Sequence, residues 1–225
     1  MQQIIPNIYT FSGLMMGRVY LLTEGDGLTL IDASIASAGK KILAQMAEAG
    51  FSAENLKRIL ITHAHPDHIG SIPALVKATG AQLVVPEGER AVVDGEMPIP
   101  RASGWLRPPE TVLEDMKADA TVANSDVLQD VLGGLHAIHT PGHAPGHMSY
   151  WQPERGILFC GDVIFNAPSM RLPLQMLTVD MTENIRSVAR LEALKPKTIC
   201  FGHGKPMIEQ AAQKLTAFAK KVGAI

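Results

Sequence analysis

Short apolar runs open the chain and change period as it proceeds. Strands are predicted over 4–11, 19–23 and 28–32, separated by Ser12-Gly13 and Gly25-Asp26-Gly27. Ile42, Leu43, Met46 and Ala49 then recur at three- and four-residue steps, which predicts a helix over 36–48 that Gly50 stops. A buried strand follows over 58–62. Ser71 is placed to cap a second helix, with Pro73 in its first turn and Gly80 at its end, and a strand follows over 82–85.

The second half runs in a similar order. Strands are predicted over 135–140, 147–151 and 157–160. A helix over 182–194 has Thr182 as its cap and Glu183 in its first turn, where the helix dipole favours an anion. A strand over 198–201 and an amphipathic helix over 206–221 complete the chain. Mixed strands and helices in both halves predict an α/β (α+β) class with helices covering sheets, read as a single domain over 1–225. Two irregular stretches rich in Pro and Met, 86–109 and 163–181, have the character of lids or mouths.

Composition narrows the function classes. Hydrophobic residues make up 46% and charged residues 19%, with a formal charge of −2, so a sizeable core is expected and global disorder is excluded. With no clustered cationic charge and few aromatic residues, nucleic acid is not expected as a partner. No stretch approaches the ~20 apolar residues that span a bilayer, so no membrane partner is expected. The opening MQQIIPNIYTF does not resemble a secretory leader, so the cytoplasm is expected, although a mature secreted chain would read the same. Cys160 and Cys200 are expected to be reduced and buried in strands.

The chemistry concentrates in Thr62-His63-Ala64-His65-Pro66-Asp67-His68-Ile69-Gly70, at the end of an apolar strand. Pro66 pushes His65 toward an extended backbone. In an extended chain positions i and i+2 point the same way, so His63 and His65 aim together, as two imidazoles on one metal would. Asp67 and His68 follow where the chain turns. Further potential ligands stand in Gly-containing loops after apolar runs: His143, Asp162 and His203.

This ordered set resembles the metallo-β-lactamase-fold hydrolase superfamily of the dinuclear HxHxDH type. The resemblance implies a four-layer αββα sandwich with the metals at one edge. It implies His63, His65 and His143 on one metal, Asp67, His68 and His203 on the second, and Asp162 bridging both. Two zinc ions are the first choice for such ligands, with iron or manganese as alternatives. Two divalent cations lower the pKa of bound water from about 15.7 toward about 7 and polarise the substrate oxygen. The implied reaction is attack of a metal-bridging hydroxide on the carbonyl of a small ester, lactone, thioester or β-lactam, with Asp67 as the catalytic carboxylate. The alternatives are a mononuclear-iron oxidoreductase resembling sulfur dioxygenases and a small phosphodiesterase. Two departures bear on substrate. No cationic cluster suited to a glutathione carboxylate stands near the C-terminus beyond Lys214, Lys220 and Lys221, and no tyrosine follows Asp162.

Other positions carry secondary expectations. Asp32 ends a strand, where it reads equally as a residue that orients a ligand histidine from behind or as a plain loop aspartate. His147 is read as supporting the site without binding metal, and neither His136 nor His139 is assigned to a metal. Phe165, Met170 and Met176 are expected to contact a small-molecule substrate, because Met-rich loops adapt to varied ligands. The same loop reads equally as a contact between two copies in a homodimer or as a cover over the core. Trp105 shares this ambiguity.

Overall fold

A computed structural model describes residues 1–23, 27–100 and 116–225. Trp105 lies outside the described residues, as does much of the irregular stretch that contains it.

The first sheet runs β1 (Gln2–Ile5), β2 (Ile8–Thr10), β3 (Tyr20–Leu22), β4 (Leu28–Ile31), β5 (Leu56–Leu60), β6 (Gln82–Pro86) and β7 (Ala120–Val122) in spatial order. Helices α1 (Gly39–Glu48), α2 (Pro66–Ile69), α3 (Ile72–Thr79) and α4 (Arg90–Val93) belong to the same half. The second sheet is built from β8 (Val127–Leu128), β9 (Leu135–His139), β10 (Met148–Gln152), β11 (Ile157–Gly161) and β14 (Thr198–Phe201). A ribbon of β12 (Phe165–Asn166) and β13 (Met170–Arg171) precedes α5 (Met181–Ala193), and α6 (Ala211–Lys221) follows β14.

Each half has the same plan. An antiparallel meander of four strands, β1–β4 or β8–β11, is followed by a helical crossover to a parallel strand. Parallel neighbours require such a crossover, and α1 and α5 supply it. The first sheet then adds β6 and β7, also parallel.

Period-two alternation assigns the layers. In β11, Ile157 and Phe159 enter the cluster between the sheets, whereas Leu158 and Cys160 face α5 and α6. In β3, Tyr20 and Leu22 face the opposite sheet and Leu21 faces the cluster that holds Ile42, Met46, Ile72 and Leu75. Three apolar layers thus separate helix, sheet, sheet and helix, the expected αββα sandwich. Cys200 and Cys160 are both buried and free, and they belong to different layers.

Two phenols cross the middle layer reciprocally. Tyr20 donates to the Phe201 carbonyl (2.7 Å), and Tyr150 donates to the Ile61 carbonyl (2.8 Å). A buried phenol needs such a partner. Each acceptor lies two residues before a histidine of the candidate site, His203 and His63.

Several local expectations change. The strand expected over 4–11 divides at Pro6-Asn7, where Asn7 adopts φ 66°, a left-handed conformation that asparagine tolerates. Asp180, not Thr182, caps α5, because its carboxylate accepts the Glu183 N–H at 2.9 Å. Ser71 precedes α3 but does not cap it, as its hydroxyl donates to the Ile35 carbonyl. The last helix starts at Ala211, because Met207 first pairs with Ile199 beside β14.

Candidate metal centre

The site gathers at the ends of four strands. Beyond β5 the chain runs on to His65, whose own backbone is extended (φ −80°, ψ 150°), then turns at Pro66 into α2, which carries Asp67 and His68. The His63 and His65 ring centroids are 4.5 Å apart. His143 stands in the loop between β9 and β10, Asp162 directly follows β11, and His203 follows β14. Gly161, at φ 49°, makes room for this turn: a Cβ there would lie 2.4 Å from His147 Nε2.

These side chains form overlapping groups whose ligand atoms lie within 4.8 Å of one another: His63, His65 and His143; His63, His68 and Asp162; Asp67, His68 and His203. Asp162 stands at the centre. Its Oδ2 is 3.4 Å from His143 Nε2, 3.2 Å from His203 Nε2 and 4.0 Å from His63 Nε2, and its Oδ1 is 3.4 Å from His68 Nε2. Asp67 Oδ2 lies 3.1 Å from His203 Nε2 and 3.8 Å from His68 Nε2.

The hydrogen bonds behind the histidines settle their tautomers. Thr62 donates its N–H to Asp32 Oδ1 (2.8 Å) and its hydroxyl to Asp32 Oδ2 (3.0 Å), so its lone pair is left to accept from His63 Nδ1 (3.0 Å). His68 Nδ1 donates to Asp32 Oδ2 at 2.8 Å. Thr178 donates to the Leu174 carbonyl and accepts from His143 Nδ1 at 3.3 Å. With Nδ1 committed as donor, Nε2 is the nitrogen of each ring left to offer a lone pair inward once it carries no proton. Nε2 of His63, His68 and His143 and Oδ1 of Asp162 are buried without any hydrogen-bond partner. Buried polar atoms are ordinarily paired, so four converging orphans fit a centre built for cations.

Asp32 therefore acts on both ligand groups. Asp32→Asn is expected to weaken metal affinity ~10–100-fold, because an amide can donate where the carboxylate only accepts, which favours the wrong tautomer of His68. Competition against a chelator measures this, and wild-type affinity in the variant would refute the orienting role.

His147 lies against the backbone of Asp162. Its Nε2 accepts the Asp162 N–H (3.0 Å), so Nδ1 donates to Thr140 (2.9 Å). Burial holds it neutral, with its pKa lowered to about 3. Burial likewise lowers His65 to about 4 and depresses His63 and His143. The remaining groups are governed by charge. Burial opposes a proton on His203, but Asp162, together with contacts to Asp162 and Asp67, raises it to about 9. Burial opposes ionisation of Asp67, but His68 and His203 outweigh it and take the carboxyl down to about 2.

The structure brings Phe165 against this centre, 4.5 Å from the His203 ring and 6.3 Å from that of His143. Met170 packs, half-buried, against the α5–α6 cluster, and Met176 is exposed on the turn before Thr178. His139 bonds the Pro145 carbonyl, apart from the ligand groups. Two residues escaped the sequence reading. Thr178 orients His143 from 35 positions away. Glu89, in an irregular stretch, is buried beneath the ligand loops. Neither sits in a motif.

Residues 12–203 match the family model of the metallo-beta-lactamase superfamily. YybB of Bacillus subtilis, named "Probable metallo-hydrolase", is 26% identical over 192 residues, covering 85% of this chain and 82% of that protein. A hydroxyacylglutathione hydrolase of Pseudomonas aeruginosa is 36% identical over 149 residues, covering 64% of this chain but only 45% of the other. Among solved structures, the subclass B3 metallo-beta-lactamase BJP-1 of Bradyrhizobium japonicum superposes with a TM-score of 0.75 at 27% identity, covering 99% of this chain and 90% of that one. Sandwich, ligand geometry and family match agree: this chain belongs to the metallo-beta-lactamase superfamily.

Proposed function

We propose that this protein is a dinuclear zinc hydrolase that cleaves a small carboxylic-acid derivative: an ester, thioester, lactone or β-lactam. The observation that carries the reading is Asp162, whose carboxylate stands between His63-His65-His143 and Asp67-His68-His203 and reaches both. Two bound cations would supply Lewis acidity and lower the pKa of coordinated water. Asp67, ionised at the partly open edge beside His203, accepts and passes on a proton. His203 closes the same edge. The relatives' names, metallo-hydrolase, hydroxyacylglutathione hydrolase and metallo-beta-lactamase, support a hydrolytic reading.

The rim favours an apolar substrate group. Met15 (84% exposed), Met16, Leu174, Met176 and Leu177 are among the most exposed large apolar residues. They lie on two segments next to the site. Gly17 packs on the Asp67 carbonyl, and Thr178 bonds His143. Elemental analysis of purified protein, with a panel of lactone, thioester, β-lactam and phosphodiester substrates, tests the reading. Two zincs with carbonyl-substrate turnover support it. One iron, or turnover of the phosphodiester alone, would replace it.

Proton release tests the ligand set independently. His203, raised to about 9, carries a proton near pH 7 that a metal must displace, and Asp162 draws His68 upward in the same direction. Titrating zinc into the apo-protein near pH 7 is expected to release at least one proton per chain. The yield falls as pH rises through about 9, where His203 has already lost its proton. Calorimetry in buffers of different ionisation enthalpy counts them, and no release would remove these imidazoles from the ligand set.

A further inference from the structure

A carboxylate outside the ligand groups ties two ligand loops together. Glu89 ends the one-turn helix Glu87–Glu89 that follows β6 and is 2% exposed. Its Oε2 accepts the N–H of Ala64 at 2.9 Å, between His63 and His65. Its Oε1 accepts the N–H of Gly146 at 2.7 Å, in the loop that carries His143. The approach is close. A Cβ on Gly146 would lie 2.4 Å from the Gly88 carbonyl carbon, and one on Gly88 would lie 2.8 Å from the Gly146 Cα. Among the described residues no cation pairs with Glu89, and its partners are these two backbone amides.

A buried carboxylate without a counter-ion is costly, and burial pushes this one up to about 7 against the two backbone bonds that lower it. Cheaper residues would fill the same space. What a carboxylate alone offers is an acceptor on each of two oxygens at a fixed separation. The two amides it joins belong to the only segments that supply His63, His65 and His143. The Asp67-His68-His203 group has no contact from Glu89 among these bonds; Asp32, which also bonds Thr62 behind His63, supports it through His68.

We propose that Glu89 is a positioning residue that sets the spacing between the His63–His65 loop and the His143 loop, and so presets the three-histidine half of the metal centre. The proposal rests on the reading of this cluster as a dinuclear centre.

Glu89→Gln tests it with almost no change of volume. Glutamine offers one acceptor and turns an amide donor toward the second backbone N–H, so one strut is lost. Cobalt(II) serves as the probe, because its absorption reports ligand type and geometry. In a His203→Ala background, where the three-histidine half is read alone, Glu89→Gln is expected to weaken cobalt affinity ~10–100-fold and to alter the ligand-field bands. In a His65→Ala background, which leaves the other half, it is expected to change neither. Equal losses in both backgrounds would reduce Glu89 to general structural support, and unchanged affinity in both would remove it altogether.

The wild-type protein supplies a measurement that survives any folding failure of the variant. Scalar coupling across the hydrogen bonds, from the Ala64 and Gly146 amide nitrogens to the Glu89 carboxyl carbon, is expected with and without metal. Its absence overturns the brace. Wild-type protein that binds no cobalt would instead sink the dinuclear reading, which keeps the two failures apart.

Discussion

Asp162→Ala is expected to empty both halves of the centre and to lower kcat/KM by at least about a thousandfold, or about 4 kcal/mol of transition-state stabilisation. The magnitude follows from position. One carboxylate approaches His143 and His203 at 3.4 and 3.2 Å through Oδ2, and His68 at 3.4 Å through Oδ1. No other carboxylate among the described groups reaches histidines of both halves, so neither half keeps its full set of anionic donors without it. The charge balance is lost as well. His68 and His203 are drawn above their ordinary range chiefly by Asp162, against burial. Elemental analysis and steady-state kinetics on one preparation check the prediction. Normal metal content with unchanged hydrolysis would remove Asp162 from the mechanism.

His65→Ala is expected to act on one half only. His65 joins His63 and His143 and belongs to neither of the other groups, which include His68. Burial keeps its ring neutral, with the pKa lowered to about 4, so at pH 7 it is ready to ligate. Its loss leaves two imidazoles where three stood. Metal content is expected to fall from about two ions per chain toward one, with a loss of ~100-fold or more in kcat/KM. The contrast with Asp162→Ala is the informative result. Loss of both ions in His65→Ala would show that the halves fill together, and retention of both would take His65 out of the ligand set.

Much of the site was legible because its logic is local. Pro66 restricts His65 to an extended backbone, and that places His63 and His65 on one side whatever the rest of the chain does. The layers were legible for a similar reason. Alternation within β11 sends Phe159 and Leu158 to opposite faces, and the three-to-four spacing of Ile42 and Met46 marks the buried face of α1. Errors fell where two local options were close in energy. Thr182 and Asp180 are both good caps, and the outcome depended on where the chain leaves the Gly142 carbonyl, which accepts the Asp180 N–H at 2.9 Å. The division at Asn7 turned on one residue's tolerance of positive φ.

Sequence alone determined the donor types, their order and the pairing of His63 with His65, since sterics over a few bonds decide these. The tertiary structure decided everything that joins distant segments. It decided that Asp162 lies between the two groups, that Asp32 bonds Thr62 and His68, that Thr178 stands behind His143, and that Glu89 spans Ala64 and Gly146. These contacts depend on strand register and on the packing of one sheet against the other, to which Tyr20 and Tyr150 contribute across the middle layer. Such packing is a sum of many weak interactions over the whole chain, and no short motif encodes it.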